Sequence, residues 1–584
     1  MLFLIMLILS WRAWPDILID FGRELYLPWQ ISQGQVLYQD QAHLFGPLSV
    51  YYHALLFRLF GPSYTVIIIS NLGIFVILLY LLYNLWHRLS RLSAWITILI
   101  TTSIFGFGQY IGIGNYNFLS PYSHETTHGL VLTTFMIHLL GEYDARMRRR
   151  SLAFAGATLG LVFLTRTDLF LAALTTAVGF FAIRIKDAKF KYREMFVFVG
   201  MVSIPIFLCL VLFKSRMSLY DAGLALLEPW RVLTTSGAFQ NTFYGTVTGF
   251  DNPFRNFAKS LLETSSIIIL LGTLRFISQF SIERPRWGQI GRMAWLIAIT
   301  MAILAIAPYE IGRSLPILCA MELIVLFKYR NDFGSSIIKP ILWAIFSLAI
   351  LMRMPLHATF VHYGFYAALP ATTLLIGSIV WNIPFWMKTS NSLAEIIVRN
   401  LILIAIFILA LTFITFSNKL YSLKNFKIGE GEDYFWAFDP KIDTRSLIVE
   451  DTLNWIEKNM RQDETFVAIP EGVMLNYLTK HINPTRFFNF MPPELSTYGE
   501  STIVEEFIMT PPDYVLIVHK DTHEYGYDFF GKESTYGMLI MDWVNQNYRS
   551  ICLFGDRPLT SEHFGIEILI HKDQTESSPP CILK

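Results

Sequence analysis

Apolar residues in this chain come in long runs separated by short charged loops, the spacing of helices that cross a hydrocarbon layer. A helix needs roughly 20 such residues to span a core about 30 Å thick. Runs of this kind are centred on Ile74, Ile100, Thr133, Leu159, Thr175, Ile204, Leu270, Ile299, Val325, Ile345, Leu375 and Phe407. With the apolar stretch from Met1 to Ser10 they predict a polytopic α-helical membrane protein of about 13 transmembrane helices. Ten helical residues cover only about half a bilayer. The first stretch is therefore expected either to continue through Trp11 and Trp14 or to begin upstream of Met1.

The connections sort by charge. Arg88 and Arg91, the group Arg146 with Arg148 to Arg150, and the group Arg184, Lys186, Lys189, Lys191 and Arg193 fall on one side. Arg284, Arg286 and Arg292, then Lys328 and Arg330, continue that side at alternate connections. Basic loops stay in the cytoplasm. The outer face then receives the loop from Trp11 to Gly61, the loop from Gly112 to His124, the loop from Lys214 to Lys259, and everything after Ser417. The protein is expected in the plasma (inner) membrane.

From about Tyr421 the pattern changes. TFVAIP, DYVLIVHK, SICLFG and IEILIHK are apolar runs of strand length, and SLIVEDTLNWIEKNM and YGMLIMDWVNQNY between them are amphipathic. Alternating strands and helices predict an α/β domain. The expected division is a membrane region over 1–416 and an extracytoplasmic soluble α/β domain over 417–584, with no internal repeat or low-complexity linker.

Composition agrees with lipid as solvent: of 584 residues, 53% are hydrophobic and 16% charged, against about 25% charged in soluble domains. A net charge of +1 gives no reason to expect nucleic acid. Cys209 and Cys319 lie in apolar runs and read as core residues. Cys552 and Cys581, in the tail, could pair in an oxidising compartment or stay as thiols.

The candidate chemistry sits in the outward loops. The first, about 11–61, is too long and too patterned for a passive connection: DFGRELYLPWQIS and LSVYYHALLFRLF both have the spacing of interfacial helices. Asp20 falls where the first span meets this loop, four residues before Glu24, a spacing that places both carboxylates on one helical face with Arg23 beside them. A carboxylate at the edge of hydrocarbon is costly and points to function. Capping and pairing with Arg23 is the structural alternative. Asp40 is a further acidic candidate. In the second loop, GIGNYNFLSPYSHETTHG, residues Asn115, Asn117, His124, Glu125 and His128 cluster; Glu125 could be a second active-site carboxylate or a helix cap. His124, Glu125 and His128 could hold a divalent metal, although no tight metal signature is present. Arg166 and Asp168 interrupt GLVFLTRTDLFLAAL, and Arg313 and Arg353 stand beside spans. Each arginine suits a phosphate, with mutual ion pairing or snorkelling as the alternative. His357 and His362 read as structural. Asp439, Asp443 and the tail's HKDTHEYG form no recognisable constellation, and GFGQYIGIG lacks the strand–turn–helix context of a dinucleotide loop.

An acidic residue opening the first outward loop, an amphipathic loop ending in Gly46-Pro47-Leu48 and an aromatic helix, many spans and an outward C-terminal domain together resemble the GT-C glycosyltransferases. The resemblance is greatest to the branch holding protein O-mannosyltransferases and lipid A aminoarabinose transferase. It implies inverting transfer of a sugar from a polyprenyl-phosphate donor to an extracytoplasmic acceptor (lipid, glycan or protein), with Asp20 as general base. Many members carry two adjacent acidic residues, whereas Phe21 follows Asp20 here. The rival reading is a transporter or flippase; these show repeat halves and charges at mid-membrane, whereas the polar groups here gather at the outer edge.

Overall fold

The computed structural model describes all residues except 115, 236–240, 306–309, 388–391, 534–535 and 575–584. Every expected apolar centre falls inside a helix. Among the described residues, eight helical segments are long and apolar enough to cross a membrane: Tyr64–Trp86, Thr167–Lys186, Tyr192–Lys214, Thr242–Ile282, Pro285–Ala305, Arg330–Leu351, Gly364–Met387 and Leu393–Tyr421. The count of 13 is therefore not reached on length and composition. The reason is local. Arg149–Phe163 and Leu315–Lys328 have 15 and 14 residues, and Arg91–Ile100 gives way to a π-helical turn over Thr101–Gly106. His124–Arg146 is long but opens on the polar run His124 to His128.

Leu2–Ser10 has nine residues and ends where Trp11 leaves helical geometry (φ −53°, ψ 120°). Trp14 then folds back to donate to Ser10 Oγ at 2.9 Å. The helix does not continue through Trp11 and Trp14.

Both amphipathic segments of the first loop are helical, Phe21–Ser32 and Leu48–Phe60. The connection between them is pinned to the bundle: Gly46 N donates to Thr165 O at 2.6 Å and Leu48 N to Leu164 O at 2.9 Å. A Cβ on Gly46 would lie 2.3 Å from Leu164 O, which is why glycine opens the Gly-Pro-Leu segment.

The tail begins with an antiparallel pair, β1 (Lys424–Ile428) and β2 (Phe435–Phe438). The four apolar runs then form β3 (Phe466–Ile469), β4 (Tyr514–Val518), β5 (Tyr548–Gly555) and β6 (Gly565–His571). They make one mixed sheet in the order β3-β4-β6-β5, with β3 and β4 parallel and the other pairs antiparallel. The β3-to-β4 crossover carries the helices Val473–Thr479, Pro492–Tyr498 and Glu500–Met509, as a parallel pair requires.

The first loop is held between bundle and tail. Asp433 Oδ1 accepts from Tyr64 N at 2.7 Å, Trp436 N donates to Arg12 O at 2.8 Å and Ala42 N to Arg486 O at 2.9 Å. Asn483 N donates to Tyr26 Oη at 3.0 Å. Asp16 fixes the entry to the loop by accepting from Leu18 N and Ile19 N at 3.0 and 3.1 Å, while Arg445 reaches its other oxygen at 3.4 Å. Cys209 and Cys319 are buried and free. Cys581 lies outside the described residues, and with it any pairing to Cys552.

The loop also packs closely on the tail at Gly22, where a Cβ would lie 2.5 Å from Met474 N. Gly22→Ala is expected to cost about 1–3 kcal/mol, read as a lower thermal unfolding midpoint in detergent. An unchanged midpoint contradicts this packing of loop on tail.

Candidate functional site

A cavity of about 260 Å3 opens where the bundle, the first loop and the tail meet. Asp20 stands on its wall. The residue precedes the helix Phe21–Ser32 with φ +60° and ψ −61°, and Phe21 N donates across it to Ile19 O at 2.6 Å. This is a γ-turn of the strained, positive-φ kind. Such a conformation in a non-glycine residue costs on the order of 1–3 kcal/mol and persists where the surroundings enforce it. Here Asp20 N donates to Glu471 Oε1 at 3.2 Å. Burial and the Glu471 carboxylate push the Asp20 carboxyl up to about 8, against the lowering influence of Arg23 and Lys520.

Asp20 is thus outside the helix, and the shared face with Glu24 expected from their spacing does not form. Glu24 turns inward, 5% exposed, and accepts from Arg23 Nε at 3.1 Å and from His124 N at 2.9 Å, with His124 Nδ1 at 2.6 Å. Its role is to hold Arg23, which lines the cavity and also donates to Tyr122 O.

A cationic group lies on the bundle side. Arg166 and Arg353 share Asp168: Arg166 Nε reaches Asp168 Oδ1 at 3.0 Å and Arg353 reaches Oδ2 at 3.2 Å. Tyr122 Oη and Tyr366 Oη complete the network at 2.7 and 2.9 Å, to Arg166 and Asp168 respectively. Phe45 lies under two guanidinium groups, Arg166 at 4.6 Å and Arg23 at 5.3 Å from its ring centre, a contact that suits desolvated arginine. Two arginines against one aspartate leave an excess of positive charge. Arg353 Nε is buried without a hydrogen-bond partner. The mutual ion pair and the phosphate site weighed for Arg166 are therefore compatible.

The tail supplies the opposite wall. Glu471 follows β3 and Lys520 follows β4, so the parallel pairing carries both to one edge of the sheet, where Lys520 Nζ meets Glu471 Oε2 at 3.2 Å. Burial opposes the charge of Lys520, but Glu471, Glu524 and Asp20 outweigh it and raise its pKa. Glu494, Glu524 and Tyr525 also line the cavity. HKDTHEYG, which showed no pattern as sequence, thus contributes Lys520, Glu524 and Tyr525. The readable signal was charge directly after two wholly apolar strands, the carboxyl edge at which α/β sheets bind ligands.

Other expected residues lie elsewhere. Glu125 is fully buried away from the cavity, facing His43 Nε2 at 3.3 Å and accepting from Ser123 Oγ at 2.5 Å. His128 Nδ1 lies 2.9 Å from Ser49 Oγ. With His124 committed to Glu24, these three side chains diverge. Among the described residues no group of three His, Cys, Asp or Glu is placed to hold a metal ion. Asp40 is exposed and accepts from Val36 N at 2.7 Å, closing a turn. Arg313 bonds Asn256 Oδ1 at 3.2 Å and is not on the cavity wall. His362 lines the cavity, whereas His357 Nδ1 lies 2.7 Å from Thr246 O. Asn115 lies outside the described residues.

The fold is shared with a solved structure over nearly the whole chain. The chain is similar in structure to ArnT from Cupriavidus metallidurans bound to undecaprenyl phosphate, with a TM-score of 0.51 and 10% sequence identity over 97% of each chain. No family model and no curated sequence matches the chain.

Because Glu471 raises the Asp20 pKa, Glu471→Gln is expected to move Asp20 titration to lower pH. The protonated-carboxyl infrared band, assigned by its loss in Asp20→Asn, reads this directly. An unmoved band contradicts the coupling.

Proposed function

We propose that the chain is a membrane glycosyltransferase that takes a sugar from a polyprenyl-phosphate donor and passes it to an acceptor on the extracytoplasmic side. One observation carries this reading: a strained, half-buried carboxylate, Asp20, faces a cavity with a cationic wall from the bundle and an acidic wall from the tail. The likeness in fold to a protein crystallised with undecaprenyl phosphate supports the lipid-phosphate part. Orientation follows from charge, because the Arg- and Lys-rich connections belong on the cytoplasmic side. The cavity and the region 417–584 then face outward.

In this reaction Asp20 accepts the proton of the acceptor hydroxyl or amine as that atom attacks the anomeric carbon. The new bond to that carbon forms as the bond to the phosphate oxygen breaks. The phosphate leaves with the electron pair, and the charge it gains is met by Arg166 and Arg353, whose planar donors match its oxygens. One base and one displacement invert the anomeric carbon. The prenyl chain stays with the bundle side, and the sugar points toward Asp20 and the tail. Arg166 and Arg353 both line the cavity in which such an anion would sit. Glu24 and His124 act through Arg23 rather than on substrate, and Glu125 stabilises the loop beneath them.

Asp20→Asn keeps a side chain that tolerates positive φ and removes the base. With labelled polyprenyl-phosphate sugars, its transfer rate is expected to fall roughly 10²–10⁴-fold. An unchanged rate removes Asp20 from the role, and substrate crossing the membrane without transfer favours a transporter. Only deprotonated Asp20 can accept a proton, so the wild-type rate should climb as pH rises through about 8. A rate already flat from pH 5 upward contradicts the raised pKa. Arg353→Gln should weaken undecaprenyl-phosphate binding about 10-fold or more, and equal binding would exclude Arg353 from the phosphate.

A further inference from the structure

The helices Pro253–Glu283 and Pro285–Ala305 form a hairpin joined at Arg284. The first of them starts beside the segment Thr242–Thr248, whose Phe243 and Tyr244 line the cavity. Its 31 residues run for about 45 Å, so the turn of the hairpin lies at the opposite side of the bundle from the cavity. At that turn a groove of about 320 Å3 opens on the surface. Glycine makes it. A Cβ on Gly288 would lie 2.3 Å from Ser281 Cα, and one on Gly291 3.2 Å from Ile277 Cγ2, so the helices approach closely and no side chain covers the floor. Phe280 and Ile290 form apolar walls. Trp287, 65% exposed, and Arg284, also exposed, complete the lining. The Arg284 guanidinium lies 5.9 Å from the centre of the Phe280 ring, which keeps its charge beside the apolar wall.

Charge and shape together select one kind of occupant. Residues 283–292, ERPRWGQIGR, carry three arginines against one acidic residue, so the turn repels an amine and attracts an anion. Water finds too few polar partners along the walls to stay in place. A bare inorganic ion gains nothing from Ile277, Phe280 and Ile290. Exposed tryptophan beside arginine marks headgroup depth at a membrane boundary. An arginine kept only for topology has to reach water and needs no groove. A second copy of the chain would set the same arginines against these. An amphiphile with an acyl chain for the floor and a phosphate for the guanidinium satisfies both halves.

We infer that this groove is a binding site for an anionic phospholipid, with an acyl chain lying over Gly288 and Gly291 and the headgroup phosphate at Arg284. The lipid is a component of the surrounding bilayer, distinct from the prenyl-phosphate donor assigned to the cavity, and the inference does not rest on that assignment. The charge of the connections places its source in the cytoplasmic leaflet.

The test titrates lipid onto the full chain, delipidated in detergent, and counts bound molecules by native mass spectrometry. Dioleoyl phosphatidylglycerol is compared with dioleoyl phosphatidylcholine, which has the same chains and no net charge. The first is expected to bind at least about 10-fold more tightly. In Arg284→Gln the difference should fall below about 3-fold. In Arg193→Gln, a change on another basic connection, it should stay as in wild type. Gly291→Phe, which fills the groove, should weaken phosphatidylglycerol as far as Arg284→Gln does; if that variant does not fold, the two arginine variants still decide. Equal binding of the two lipids by the wild-type chain overturns the site, and so does an unchanged preference in Arg284→Gln. An equal loss in Arg193→Gln would make the preference a property of the whole basic face. Displacement of phosphatidylglycerol by millimolar inorganic phosphate would make the groove a plain anion site. Either result also overturns the inference.

Discussion

The hydrogen bond from Asp20 N to Glu471 Oε1 ties the first loop of the bundle to the carboxyl edge of the tail's parallel strands. The site depends on that tie. Asp20 occupies a backbone conformation that a free chain avoids, and the tail supplies both the acceptor that holds it and the carboxylate that raises its pKa. Separating bundle from tail would relax the turn, release the carboxylate to water and open the cavity together. The polar clamps at Arg12, Tyr26, Ala42 and Tyr64 make such separation costly.

The cavity's charges follow from the same arrangement. Helices ending at the membrane boundary contribute arginines, which can keep their charge there by reaching toward water. A sheet edge contributes carboxylates and Lys520 from loops that follow buried strands. In the proposed reaction the phosphate of an amphiphilic donor meets the arginines and its sugar meets the tail. Asp20 stands between the two walls, where such a molecule's reactive carbon would lie.

Much of the fold was legible in the sequence because two periods are unmistakable: runs of about 20 apolar residues for spans, and short apolar runs for strands. The β1–β2 pair escaped, since KNFKI and FWAF are too short to separate from loop. Eight described helices meet the length and composition of a span, and the count of 13 is not confirmed; Arg149–Phe163 and Leu315–Lys328 are apolar but short. Of the cavity wall, Asp20, Arg23, Arg166 and Arg353 were legible as charges beside hydrocarbon. Arg313, Glu125 and Asp40, also candidates from sequence, lie off the cavity wall and bond Asn256, His43 and a backbone amide. Glu471, Glu494 and Lys520 carried no such cost in sequence, because a soluble domain is full of charges. The parallel pairing of β3 and β4 brings Glu471 and Lys520 to one edge, and the crossover helix between them brings Glu494.

The central claim is that the cavity around Asp20 receives a prenyl phosphate. A structure of the full chain determined with undecaprenyl phosphate bound tests it most directly. The account predicts phosphate oxygens within hydrogen-bonding distance of Arg166 and Arg353 and a prenyl chain running along the bundle. A phosphate bound elsewhere, with the arginines still engaged only by Asp168, would contradict it.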